Sequence, residues 1–189
     1  MKDPEFIDDR LRRGNQAMNK AENAFSNLTR EQLNWKPTAT HRSIAECLDH
    51  LIIADRCYFD DLKAISSGTY RMSFWERYNP LSNLLGRALR DQMKEQVDRK
   101  MTTHQKLEPA SSSYDQQILD YYENNLSQFM KLVSLCHDVD IDKLIITSPT
   151  ISWITYSLRY ALEFLFEHEH RHINQAVSVK EDDRFPEAS

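Results

Sequence analysis

The sequence predicts an all-α protein, a bundle of long amphipathic helices. Apolar residues recur at three- and four-residue spacing nearly throughout the 189 residues. Capping boxes of the form Ser/Thr-x-x-Glu/Gln stand ahead of two segments, at Thr29–Gln32 and Ser43–Glu46. No two runs read as a convincing strand pair. Helices of this kind bury one apolar stripe each, and packing several together is the simplest way to do so.

The elements follow in order. Asp3-Pro4 reads as an N-cap with proline at the first helical position. Ile7, Leu11, Met18, Ala21, Phe25 and Leu28 then mark a helix over about 4–27. Thr29 to Gln32 caps one short turn, and Trp35-Lys36-Pro37 begins a connector, because proline disfavours helix in the residue before it. The second long helix opens at Ser43 and carries Ile44, Leu48, Leu51, Asp55, Tyr58, Leu62 and Ile65, with Asp55 the one polar member of the stripe. Ser66-Ser67-Gly68 ends it. Thr69 to Pro80 is an aromatic loop holding Tyr70, Phe74, Trp75 and Tyr78 without periodicity. A third helix is predicted from Ser82 to about Gln105, broken by Pro109 and the serines at 111–113. A fourth runs from Tyr114 to about His137, followed by a connector with a short apolar piece at Leu144–Ile146. The last spans about Ile151 to Val179, with Leu158, Leu165, His168, His172 and Ala176 along one stripe. Residues 1–180 thus form one helical domain, and 181–189 are a charged tail expected to fray.

Composition excludes several functions. With 3 glycines the chain lacks the material for phosphate-cradling loops and nucleotide fingerprints. A net charge of -5 gives no footprint for nucleic acid or an anionic membrane. No apolar run approaches the ~20 residues of a membrane helix. MKDPEFIDDRLRR has no apolar core of a secretory signal, and the 3 cysteines Cys47, Cys57 and Cys136 read as reduced thiols. A cytoplasmic protein acting on a small molecule, binding neither nucleic acid nor membrane, is the expectation.

The chemistry-bearing stretch is "HEHRHINQ", His168 to Gln175. His168 and His172 are four apart, so on a helix they stand one above the other and continue the apolar stripe inward. His170 lies roughly 200° around from either and should face out. A His-x-x-x-His pair often arises by chance, and a buried histidine usually only hydrogen-bonds. His50 changes the balance, because it sits beside the Cys47/Leu51/Ala54/Tyr58 stripe of a distant helix. Three imidazoles buried together without a cation leave donors and acceptors hard to satisfy, and a metal resolves the conflict. H-E-x-x-H is also the signature of zinc proteases. Those take a third ligand downstream, whereas Gln175 and Ser178 occupy the relevant positions here, and Glu181 and Glu187 fall in the tail. The third ligand must come from upstream, and Glu169 stands roughly 100° from the ligand face.

"LNWKPTATHRSIAECLDHL", Leu33–Leu51, and "LEFLFEHEHRHINQAV", Leu162–Val177, carry a resemblance. The first is similar to the W-x-P…S-[IL]-x-E-x-[LIV]-x-H-L stretch of the DinB/YfiT-like superfamily, and the second to its closing H-x-x-x-H-x-x-Q. The resemblance implies an up-down-down-up four-helix bundle with an aromatic-rich connecting loop, assembled as a homodimer. It implies a metal triad of His50, His168 and His172, holding a divalent transition metal, zinc or nickel first. It also implies transfer reactions that use a low-molecular-weight thiol, with metal-dependent hydrolysis or non-catalytic metal or ligand binding as alternatives. Family members commonly carry an aromatic residue just before the capping-box serine, where this chain has Arg42.

Three neutral imidazoles leave a divalent ion at least one open position, as in catalytic rather than structural sites. Gln175 and Glu46 are spaced to accept the other ring N–H groups of His172 and His50, unless they are respectively a surface residue and a capping partner. Cys47 could close the site as a fourth ligand or be a core thiol. Arg71, Phe74, Trp75 and Tyr78 could wall a pocket or anchor the loop by packing.

Overall fold

The computed structural model describes residues 2–82, 84, 86–87, 111 and 113–187. The helix predicted from Ser82 to about Gln105 falls mostly outside the described residues, as does His104. Helices α1 (Pro4–Phe25), α2 (Arg30–Asn34), α3 (Ile44–Arg56), α4 (Phe59–Ser66), α5 (Phe74–Tyr78), α6 (Ile118–Ser134) and α7 (Leu158–Lys180) are joined by one antiparallel strand pair, β1 (Ile145–Thr147) and β2 (Thr155–Ser157). The protein is an α-helical bundle. Among the described residues, no helix is long and apolar enough to cross a membrane.

Packing is set by which residues can approach closely. In α1 the Asp3 carboxylate accepts from the Phe6 N–H at 3.1 Å, and Pro4 occupies the first helical position. The buried face of α1 is Ile7, Gly14, Ala17, Ala21 and Phe25. Its small residues let α1 lie against both α6 and α7. α3 packs against the same two helices, so α1 and α3 sit at opposite corners. Tyr122, Leu126 and Phe129 of α6 and Leu162, Leu165 and Phe166 of α7 fill the space between them.

The structure departs from the predicted boundaries at five places. The helix opened by Ser43 breaks at Cys57-Tyr58, where the Tyr58 N–H bonds the Asp55 carbonyl at 2.9 Å and α4 restarts. Tyr58, Leu62 and Ile65 stay buried across the break, so spacing alone reads one continuous helix. In the aromatic loop, Ser73 and Glu76 form a third capping box and wind α5, whose Phe74 and Tyr78 are exposed. Glu76 also accepts from Tyr70 at 2.9 Å and Thr147 at 2.8 Å, which fastens the loop to β1. α6 begins four residues after Tyr114, because the Tyr114 N–H is held by Asn34 at 2.7 Å and its hydroxyl by Asp49 at 2.7 Å.

The last helix likewise begins at Leu158 rather than Ile151. Residues 155–157 pair with 145–147 in register Ile145↔Ser157, a strand pair the sequence did not reveal. Three residues per strand are too few to show alternation. Ser157 then caps α7, accepting from the Tyr160 N–H at 3.3 Å. The tail is docked rather than frayed over its described part. Phe185 meets Trp35 edge-on at 5.5 Å, and the Pro186 carbonyl accepts from Gln32 at 2.8 Å.

A Cβ at Gly14 would stand 2.6 Å from Met130 Sδ and 2.8 Å from Phe166 Cε1. Gly14→Val should therefore destabilise the protein by about 1–3 kcal/mol through overpacking, despite removing a helical glycine. The midpoint of urea unfolding checks this; a midpoint at or above that of the wild type would contradict the close approach.

Candidate metal centre

α3 and α7 each bring an inward face to the middle of the bundle. On α3, Ser43 accepts from the Glu46 N–H at 3.1 Å and Glu46 returns the bond to the Ser43 N–H at 3.0 Å, fixing the first turn. His50 follows two turns inside and is buried. On α7, Phe164 stacks on His168 one turn later, with ring centroids at 5.5 Å, and His172 stands a further turn on. His168 is buried, and His172 is partly exposed as a residue while its ring Nδ1 is buried.

The predicted triad converges. Ring centroids are separated by 4.4 Å for His168 and His172, 4.6 Å for His50 and His172, and 5.0 Å for His50 and His168. One ring nitrogen of each lies within 4.8 Å of the others, and the three form a group that could hold a metal ion. His50 Nε2 and His168 Nε2 are 3.2 Å apart. Two nitrogens sharing one ion at ~2.0–2.1 Å stand at about that separation. Among the described residues, His168 Nδ1 and His172 Nδ1 are buried without a hydrogen-bond partner. Burial depresses the pKa values of both well below the ordinary imidazole range; neighbouring imidazoles, Arg42 and Arg171 add to the effect. A neutral imidazole is the form that ligates a metal. Donor type, spacing and charge state all fit a divalent transition ion.

The remaining candidates divide. Cys47 is absent from the ligand group and fully buried among apolar side chains, where desolvation pushes its thiol pKa up to about 12. It is a core residue. Both oxygens of Glu46 are engaged, one by the Ser43 N–H and the other by Lys36, so its role is capping. Gln175 is exposed and lines a cavity of about 250 Å³ together with Arg42. The aromatic residues of the loop lie outside that cavity, and Arg71 donates to the Gly68 and Tyr70 carbonyls. His170 is half-buried instead of exposed, with Arg13 of α1 among its neighbours. His41 bonds Thr38, and His137 bonds Asp8 at 2.8 Å.

Sequence reasoning missed a second polar group beside the first. Asp55 and Glu169 are each 1% exposed, on α3 and α7 respectively. Tyr122 donates to Glu169 at 2.8 Å, Asn125 donates to Asp55 at 3.0 Å, and Arg56 donates to the Asn125 amide oxygen at 3.1 Å. Asp55 Oδ1 and Glu169 Oε1 have no partner among the described residues. Burial raises the pKa values of both, the neighbouring Glu169 charge raises that of Asp55 further, and the Asn125 and Tyr122 hydrogen bonds oppose the shifts. The one available signal was Asp55 interrupting an apolar stripe.

A family model described as the DinB superfamily matches residues 14–176. Searches of curated proteins and of solved structures find no match.

Because the folded-state pKa of Asp55 lies above its unfolded value, the wild type loses stability as pH rises past the ordinary carboxylate range. Asp55→Asn carries no charge at any pH and so escapes that loss. In metal-free protein it should match the wild type near pH 4 and exceed it by about 1–3 kcal/mol at neutral pH, the usual cost of an unsatisfied buried polar group. Denaturant titrations at the two pH values check this; an advantage that is the same at both would contradict the burial argument.

Proposed function

From the premise that this chain belongs to the DinB superfamily, we propose that it is a divalent-metal-dependent enzyme whose ion is held by His50, His168 and His172. The reaction proposed is thiol-dependent group transfer. The single observation supporting it most is the meeting of three imidazoles from two helices, close enough to share one ion. Three protein ligands leave a divalent ion room for a small molecule. Lewis acidity from a bound divalent ion lowers the pKa of a thiol or water brought to it and so supplies a nucleophile at neutral pH.

The side chains account for the other requirements. His168 and His172 stay uncharged because burial disfavours their protonation, so they remain donors of lone pairs at neutral pH. Phe164 fixes the ring plane of His168 by stacking. Metal-assisted hydrolysis is further accelerated by a positioned base that takes a proton from water. The carboxylates next to the triad in sequence are engaged elsewhere: Glu169 accepts from Tyr122, Glu167 pairs with Arg13, and Asp49 accepts from the Tyr114 hydroxyl. That arrangement favours a thiol, whose sulfur is a strong nucleophile once ionised. A non-catalytic metal-binding module is the rival reading, favoured if metal binds and no turnover follows.

Protein purified without a histidine tag should carry about one equivalent of transition metal per chain, and His50→Ala, His168→Ala or His172→Ala should each reduce binding by at least about tenfold. Less than about a tenth of an equivalent in the wild type, with no uptake of added zinc, nickel or cobalt, would overturn the proposal. A screen pairing small thiols with electrophiles then separates enzyme from module: turnover that needs both metal and thiol supports transfer, and its absence across the screen supports the module.

A further inference from the structure

We propose that His137 is a pH-responsive clasp between α1 and the end of α6. Charged, it holds Asp8 of α1 and the last turn of α6 at once. On losing a proton it must release one of them.

The number of donors decides this. His137 lies just past α6, and both of its ring nitrogens face oxygen. Nε2 stands 2.8 Å from the Asp8 carboxylate, and Nδ1 meets the Ser134 carbonyl. A carboxylate and a carbonyl only accept, so each nitrogen has to donate. A neutral imidazole carries a single N–H, and only the imidazolium carries two. Whichever tautomer forms on deprotonation, one nitrogen turns a lone pair towards an oxygen, and that contact becomes repulsive. Ser134 also ends α6, where the helix dipole favours a cation.

The surroundings act in the same direction. The hydrogen bond to Asp8 does most to raise the His137 pKa, and the Ser134 carbonyl adds to it. The charges of Asp8 and Asp138 help, against a cost of burial. Lys2, ahead of α1, is paired with Asp138 at 2.9 Å, and Asp9, beside Asp8, is taken by Arg10 and Arg12. The start of α1 has two further tethers, Lys2 to Asp138 and Asp3 to Arg159 of α7 at 2.8 Å. Lysine and arginine stay charged through neutrality, so of these three tethers the one through His137 responds there. Its folded-state pKa lies above the unfolded value. The clasp's contribution is therefore complete below the ordinary imidazole range and is lost as pH rises through the folded value.

Long-range nitrogen–proton spectra of the histidine rings test this, with His137 assigned by its loss in His137→Gln. In the wild type both ring nitrogens of His137 should carry protons in mild acid, and the titration midpoint should lie above about 6.5. Asp8→Asn should lower that midpoint. Urea unfolding gives a second readout: the unfolding constant of Asp8→Asn relative to the wild type should be about two- to fivefold larger near pH 5.5 than near pH 9. Taking the ratio cancels the contribution of Asp55, which both proteins share. A midpoint at or below about 6.5, a midpoint that Asp8→Asn leaves in place, or a ratio that is the same at both pH values overturns the clasp. If Asp8→Asn does not fold, the wild-type ring titration decides alone.

Discussion

The crossing of α3 and α7 places three imidazoles side by side inside a bundle, and much else in the structure serves that meeting. Imidazoles at this spacing could not all be protonated, since each charge would oppose the others in a poorly solvated interior. The capping box at Ser43 and Glu46 fixes the rotation of α3, and the stack of Phe164 on His168 fixes a ring on α7. Small residues on α1 then let the bundle close around both helices.

What could be read in the sequence follows from how far each signal reaches along the chain. His168 and His172 are legible because a four-residue spacing on a periodic helix fixes their relative direction. His50 is legible because it sits on an inward stripe with a capping signal in front of it. The strand pair at 145–147 and 155–157 was not, because three residues carry no periodicity. Its consequence, the late start of α7, was lost with it. The break between α3 and α4 was hidden because burial continues across it. Ser73 to Glu76 did carry a capping signal, but without an apolar stripe behind it the segment read as a loop. The partners of Glu169 were out of reach, since Tyr122 comes from a helix 47 residues away in sequence.

The interior also carries more polarity than a stability-optimised bundle would. Asp55 and Glu169 occupy a buried position between α3, α6 and α7, each with an oxygen that no described side chain satisfies. Burying carboxyl groups so close together opposes ionisation and taxes the fold at neutral pH. Departures of this kind concentrate near functional sites, where the environment of a few groups matters more than packing energy. The apolar clusters around Phe25, Phe129 and Phe166 carry the compensating burial.

The docked tail gives the cavity a wall that does not come from the bundle core. Phe185 and Pro186 hold the segment against Trp35 and Gln32, while Asp182 and Arg184 face the cavity. The four-helix interior can consequently stay fixed while this strap is rewritten. Asp182 and Arg184 thus shape the cavity from outside the helices that bury the core, and their replacement leaves the apolar packing of the bundle untouched.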